Sequence, residues 1–313
     1  MTGNAHRSFR SRPPDGGHIR SSRRGTMGVM DLGLVEQVAR LDGWLGDGGV
    51  VVLSGAGLST DSGIPDYRGP SGSARRNTPM TYQTFTGDPL ARRRYWARSH
   101  LGWHTIGLAR PNDGHRAVAR WQERGLLHGV ITQNVDGLHQ AAGARDVVEL
   151  HGNLARITCL ACGALTPRTE LAARLSAANP NFAVVASAVN ADGDAELDDA
   201  ALDGFTPVDC LACGGLLKPD VVYFGETVPP ERVSRAFELV AGARTLLVLG
   251  SSLTVMSGRR FVLRAVKQGV RVAIVNRGVT RGEPYADLVI DAPLGVVLPN
   301  LAAETETYRL LPR

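Results

Sequence analysis

Four cysteines are the only thiols among 313 residues, and they come as two pairs, Cys159-Leu160-Ala161-Cys162 and Cys210-Leu211-Ala212-Cys213. A C-x2-C sets two sulfurs one turn apart, and a second such pair closes a tetrahedral thiolate cage suited to zinc. Two C-x-x-C pairs fit a metal better than two disulfides, there is no signal peptide, and a redox dithiol would need only one pair. With sulfur at all four positions no place is left for water, so the expected zinc ion is structural and not catalytic. His151 stands eight residues before the first pair, directly after the strand-like Asp146-Val147-Val148-Glu149-Leu150. Scaffold and candidate chemistry therefore lie within twelve positions.

A chain of this length with 43% hydrophobic residues can bury one large core plus a smaller module. No apolar run approaches the roughly 20 residues that span a bilayer, so no membrane partner is expected. The formal net charge of +5 invites a nucleic-acid reading, but its distribution argues against one. Residues 1–30 hold Arg7, Arg10, Arg12, Arg20, Arg23 and Arg24 against the single acid Asp15, and the remainder carries 29 bases and 29 acids. The excess belongs to a Ser/Gly/Pro/Arg tail that reads as disordered, and nucleic acid is not expected on the folded part. That tail reads either as an organellar transit peptide, although Pro13-Pro14 and Gly16-Gly17 interrupt it, or as an over-extended start with Met27 or Met30 as the true beginning. All but two of the 35 basic residues are arginine, the exceptions being Lys218 and Lys267. We read this as a GC-rich genome, hence a bacterial cytoplasm, and expect a monomer.

Apolar runs that end in glycine, serine or asparagine recur along the chain, as parallel strands with their carboxyl ends in a site would. Val50-Val51-Val52-Leu53 runs into Ser54-Gly55-Ala56-Gly57, Gly129-Val130-Ile131-Thr132 into Gln133-Asn134-Val135-Asp136, and Val147-Val148-Glu149-Leu150 into His151. Thr245 to Leu249 leads to Gly250-Ser251-Ser252, and Val270 to Val275 leads to Asn276-Arg277. The expected fold is α/β, a Rossmann-like doubly wound parallel sheet whose ligands bind at that common edge. Asp88-Pro89 predicts a helix start for Leu90 to Trp103; Asp113 to Arg124 and Pro230 to Val240 read as further helices. The 47 residues between Cys162 and Cys210 exceed a minimal zinc knuckle. The expected organisation is a basic tail over 1–30, a Rossmann-like domain over 31–155 and 216–313 with a helical excursion near 75–110, and an inserted zinc module over 156–215.

Gly55-Ala56-Gly57 after a strand is half of a dinucleotide fingerprint, but position 60 is Thr, so G-x-G-x-x-G fails and a tight turn explains it equally. The polar, turn-rich Asp61 to Arg68 that follows is the kind of loop that serves a site and not a core. His100, His104, His115, His128 and His139 lack metal spacing and read as structural or solvated. Asp192-Gly193-Asp194 lacks the later ligands of a calcium loop and reads as a turn.

In order, Gly55-Ala56-Gly57-Leu58-Ser59, Gly63-Ile64-Pro65-Asp66-Tyr67-Arg68, Gln133-Asn134-Val135-Asp136, His151-Gly152, the two cysteine pairs, Lys218-Pro219-Asp220-Val221-Val222-Tyr223-Phe224-Gly225-Glu226 and Gly250-Ser251-Ser252-Leu253 resemble the sirtuin family. The resemblance covers roughly residues 31 to 301. Arg93 to Arg98, Val255-Met256-Ser257-Gly258 and Asp192-Gly193-Asp194 look more like its mitochondrial-type class II branch.

The resemblance implies an NAD-dependent protein-lysine deacylase acting on acylated-lysine proteins. In such enzymes the acyl oxygen attacks the nicotinamide ribose, nicotinamide leaves, and an alkylimidate forms. A histidine then takes a proton from a ribose hydroxyl, and free lysine and O-acyl-ADP-ribose follow. His151 matches that general base, and imidazole titrates near neutrality as the role demands; Asn134 and Asp136 complete the implied catalytic set. NAD contacts are implied for Gly55, Ala56, Gly57, Asp66, Tyr67, Arg68, Gln133, Val135, Gly250, Ser251, Ser252, Asn276, Arg277, Gly278 and Leu294. Tyr67 stands where many sirtuins carry Phe. Peptide is expected between Val222, Phe224, Gly225 and Glu226 on one side and Val255 on the other, as β-augmentation. Tyr95 and Arg98, at i and i+3, resemble the pair with which another sirtuin branch grips acidic acyl groups, a role that suits guanidinium plus phenol. Since Arg92, Arg93 and Arg94 also make this helix basic, a packed Tyr95 on a solvated helix is the competing reading. A mono-ADP-ribosyltransferase and a non-catalytic NAD or ADP-ribose sensor are the alternatives to deacylation.

Overall fold

The structure is a computed structural model that describes residues 32–66, 79–182, 194–195, 202 and 204–302. Tyr67, Arg68, Asp192, Gly193 and the basic tail lie outside the described residues.

Six parallel strands form the main sheet in the order β3-β2-β1-β7-β8-β9. They are β1 (Val50–Ser54), β2 (Leu127–Thr132), β3 (Val147–Glu149), β7 (Thr245–Leu249), β8 (Arg271–Val275) and β9 (Leu288–Ile290). Every residue of β1 and β7 is buried. Such runs read as continuous apolar segments without alternation because helices cover both faces of a parallel sheet. The chain first builds outward through β2 and β3, then returns to the other side of β1 with β7. The β1/β7 boundary is thus where strand order reverses, and a crevice opens there beyond the carboxyl ends.

The helices are α1 (Leu32–Gly46), α2 (Tyr82–Gly87), α3 (Pro89–Leu108), α4 (Asp113–Glu123), α5 (Leu138–Ala141), α6 (Arg168–Ala178), α7 (Pro230–Ala241), α8 (Met256–Lys267) and α9 (Leu294–Val297). Asp88 caps α3 as expected, its carboxylate accepting from the backbone N–H groups of Leu90 at 2.9 Å and Ala91 at 3.0 Å. The helix runs five residues past Trp103 because Ile106 is buried and the apolar face continues. Asn112 caps α4 by accepting from Gly114 at 2.9 Å and His115 at 3.2 Å, and Gly125 at φ 71 ends the segment.

A second, antiparallel sheet of order β5-β4-β6 joins β4 (Gly152–Cys159), β5 (Leu165–Pro167) and β6 (Leu217–Val221). β4 starts immediately after His151 and ends on the first zinc-type cysteine. Its core continues into α3 and α6 through Trp96, Ile157, Leu171 and Phe205. The small sheet is therefore tied both to the base of the cleft and to the cysteine cluster.

Candidate active site

Two glycine loops meet backbone to backbone at the β1/β7 reversal. The N–H of Gly55 donates to the Leu249 carbonyl and that of Gly57 to the Gly250 carbonyl, both at 2.9 Å. A Cβ on Gly57 would come within 2.9 Å of the Gly250 Cα, and one on Gly55 within 2.7 Å of the Ser251 Cβ. Gly250 has φ 61, a left-handed conformation, and a side chain there would meet the Leu58 nitrogen at 2.5 Å. Close approach, not the G-x-G-x-x-G fingerprint, explains these glycines.

The loops floor a cleft of about 1060 Å³. Gly55, Ala56, Gly57, Asp66, Gln133, Asn134, Val135, Asp136 and His151 line it together with Gly250, Ser251, Ser252, Asn276, Arg277, Gly278 and Leu294. Its outer part is bounded by Val222, Phe224, Gly225, Glu226 and Val255. Tyr95 also lines it, whereas Arg98 is not among the lining residues. Glycine backbone, amides and hydroxyls dominate the inner end, the donor set a dinucleotide's ribose and phosphate groups require. Gly55, Gly57 and Gly250, packed backbone to backbone, line the cleft together with the amides and hydroxyls of Gln133, Asn134, Ser251 and Ser252, a set that fits such a ligand.

Gln133 to Asp136 follow β2 and are held by a polar web that the sequence reading missed, centred on buried Ser59. The Asn134 amide donates to the Gly55 carbonyl at 3.0 Å and to Ser59 Oγ at 3.1 Å, and Ser59 Oγ donates to Asp136 Oδ2 at 2.7 Å. The Leu138 N–H donates to Asp136 Oδ1 at 2.9 Å. Burial raises the Asp136 carboxyl above its ordinary range, against the pull of these two donors. Ser59 is backed by His115 at 3.5 Å, and His115 stacks edge-on with His139 at 5.2 Å between centroids. His139 in turn lies 2.8 Å from Ser54 Oγ. Burial lowers His115 to about 4 and His139 to about 3, so both are neutral spacers in a buried polar layer.

His151 is oriented from two sides. Its Nδ1 lies 2.9 Å from the Gln133 carbonyl oxygen, which can only accept, so Nδ1 carries the proton. Nε2 is then the free lone pair, and it lies 2.8 Å from Ser257 Oγ, which donates to it. Burial lowers this histidine below its ordinary value, the Gln133 carbonyl opposes that shift, and the charges of Arg232 and Arg260 reinforce it. A neutral imidazole with one nitrogen pinned and the other facing the cleft can take a proton from a bound hydroxyl.

The two candidate peptide edges line the same cleft. The Val222 N–H donates to the His151 carbonyl at 2.8 Å, linking that edge to the base. Glu226 points inward: its Oε2 accepts from the Tyr223 N–H at 2.9 Å and from Lys218 at 3.0 Å, so the carboxylate holds the turn. Tyr95 is 2% exposed and packs edge-on against Phe85, Trp96 and Tyr223, with centroids 5.4 to 5.6 Å apart. It is both core and cleft wall.

The four cysteine sulfurs lie within 4.8 Å of one another, with 3.5 Å between Cys159 and Cys213 and 3.9 Å between Cys162 and Cys210. Sulfurs about 2.3 Å from a central zinc sit roughly 3.8 Å apart in a tetrahedron, so the cluster fits that ion. Two matching turns build it: Gly163 donates to the Cys159 carbonyl and Gly214 to the Cys210 carbonyl, each at 2.9 Å, with φ near 70 at both glycines. The Cys162 N–H, with that of Ala161, lowers the Cys159 thiol to about 6, favouring the ligand form. Cys213 is pushed up to about 12: the Gly215 N–H lowers it, but the neighbouring sulfurs of Cys162, Cys159 and Cys210 prevail. Four thiolates in this space require a central cation.

The family description that matches the chain, "Sir2 family", covers residues 55–257. Among curated relatives, an "NAD-dependent protein deacetylase 1" of Streptomyces coelicolor is 61% identical over 275 residues, spanning 88% of this chain and 90% of its own length. Another of that name, from Mycobacterium avium, is 51% identical over 260 residues, spanning 82% and 91%. Among solved structures, one described as "Sir2-p53 peptide-NAD+" superposes with a TM-score of 0.69 at 29% identity, covering 87% of this chain and 98% of its own. One described as "Sir2 bound to acetylated peptide" gives 0.68 at 28%, covering 88% and 99%.

Proposed function

The chain belongs to the Sir2 family, and from that premise we propose that it is an NAD-dependent protein-lysine deacetylase with one structural zinc ion. The observation that carries this reading is His151, neutral and with Nε2 facing a cleft that joins a glycine cradle to two peptide-binding edges. NAD, when bound, supplies the activated ribose and the acceptor of the acyl group. Gly55, Gly57 and Gly250, whose N–H groups already bond within the fold, shape the phosphate site with bare backbone beside Ala56, Ser251 and Ser252, and Asn276 with Arg277, Gly278 and Leu294 holds the adenosine end. Gln133, Asn134 and Asp136 orient the nicotinamide ribose, their side chains already fixed through Ser251 and Ser59. His151 Nε2 then accepts a ribose hydroxyl proton, while the aromatic wall of Tyr95, Phe85 and Tyr223 keeps water from the acyl-lysine. Zinc, held by Cys159, Cys162, Cys210 and Cys213, fixes the small sheet that carries the Val222 to Glu226 edge.

Its partners are acylated-lysine proteins, read through backbone pairing with little sequence selectivity. No helix among the described residues is long and apolar enough to cross a membrane. A reduced four-thiol site suits the bacterial cytoplasm, where we place the protein. For acyl choice, acidic, glutaryl-type groups ranking above acetyl would need Arg98, one turn from the cleft-wall Tyr95 but outside the cleft lining, to turn its guanidinium toward the acyl chain. The test is nicotinamide release on acetyl, succinyl, glutaryl and lipoyl peptides, comparing wild type with Arg98→Met. Loss of acidic-acyl turnover with acetyl spared is expected; an unchanged ranking ends the acidic preference, and no peptide-stimulated release ends the deacetylase reading.

A further inference from the structure

The amino end of α8 lies against the base. Ser257 in its first turn is 2.8 Å from His151 Nε2, and Arg260, three residues on, lines the same cleft. A side chain at Gly258 would meet Gln133 Oε1 at 2.5 Å, so the helix packs against the residue whose carbonyl pins Nδ1. Both nitrogens of His151 are therefore set by one frame. The charged groups that face the ring are Arg232 from α7 and Arg260 from α8. Asp220 pairs with Arg232 at 3.1 Å, whereas no acid pairs with Arg260 among the described residues, and its Nε reaches only the Met256 carbonyl at 3.5 Å. Arg260 thus keeps its full charge beside the imidazole.

We propose that Ser257 and Arg260, on one face of α8, are positioning residues for His151: the serine hydroxyl aims the ring until a ribose hydroxyl takes its place, and the arginine, one turn on in the lining of the same cleft, sets a positive charge on that side of the site. This inference rests on the deacetylase reading. A base that is already unprotonated and aimed loses no turnover to reorientation when substrate arrives. Once Nε2 has taken a proton, the guanidinium repels the imidazolium and favours transfer of that proton from Nε2 to water, which restores the free base. A hydroxyl suits the first task because it donates to Nε2 yet can rotate away.

The test reads two partial reactions on one acetylated peptide. Exchange of labelled nicotinamide into NAD precedes the base step, and product formation follows it. Ser257→Ala is expected to lower the ratio of product formation to exchange about tenfold, and Ser257→Thr, which keeps the hydroxyl, to restore most of it. Arg260→Gln is expected to move the acidic limb of the kcat/KM profile upward by about half a pH unit or more, since a positive neighbour was holding the imidazole neutral. Arg260→Lys should leave the limb near the wild-type position. Unchanged ratios and overlaid pH profiles would overturn the proposal, as would an Arg260→Gln effect confined to KM, which would make Arg260 a substrate contact. Wild type that catalyses neither reaction would instead remove the deacetylase reading itself.

Discussion

Lowering the pH should destabilise this protein through two buried histidines. His115 is fully buried and His139 is 1% exposed, and burial holds them at about 4 and about 3. In the unfolded chain each titrates near 6.5. Above that pH both states are neutral and neither group affects stability; below it only the unfolded state gains protons, so stability falls from about 6.5 down through the folded values. At pH 5 each group is 1.5 units below its unfolded value, worth about 2 kcal/mol, and roughly 4 kcal/mol for the pair. That is a large part of a typical domain's 5–15 kcal/mol. Asp136 works the other way, since its raised carboxyl favours the folded state in acid, and His100, lowered to about 4 by burial and by Arg168, adds to the loss. The assay is urea unfolding at several values between pH 7.5 and 5 for wild type and a His115→Gln/His139→Gln variant. Asp136 and His100 are common to both, so their contributions cancel in the difference of slopes. Wild type should lose about 4 kcal/mol more than the variant over this interval. Parallel curves would refute the claim that these rings are held neutral.

Gly57→Ala places a methyl 2.9 Å from the Gly250 Cα, backbone against backbone, and should spread the two loops. Overpacking of this kind costs about 1–3 kcal/mol; NAD affinity by calorimetry should fall at least tenfold, and an unchanged affinity would mean the cradle does not hold the phosphates. Stripping zinc with a strong chelator should lower the thermal transition and abolish turnover, because β4 and β6 link the cysteines to His151 and the Val222 edge. A chelated protein with the original transition would show that the four thiols need no metal.

Five of the parallel strands were legible because each is a largely apolar run that stops at a glycine or polar residue, as β1 and β7 do, whereas the three-residue β9 escaped the reading. The cysteine spacing gave the four-sulfur cluster for the same kind of reason: a C-x2-C turn is local, and the chain had no other thiols to confuse it. Helices α1, α5, α6, α8 and α9 escaped the reading, and the last four start without a side-chain cap hydrogen bond. Ser257 and Ser59 were invisible as site residues since a serine's partner is set by tertiary approach: His151 is 106 positions from Ser257, and Asp136 is 77 from Ser59. Leu253 at φ 51 is equally unreadable, a buried non-glycine residue held left-handed where the second glycine loop turns into the peptide edge. Tyr95 packs in the core and also lines the cleft, a double placement that periodicity alone could not have said.

On the reading proposed above, His151 Nε2 is the proton acceptor of an NAD-dependent deacetylation. The most direct measurement follows free lysine peptide and O-acetyl-ADP-ribose from an acetylated peptide, beside labelled-nicotinamide exchange, in wild type and His151→Ala. Product formation that falls by about 100-fold or more while exchange persists is the expected result. A variant that still forms both products at the wild-type rate would contradict it.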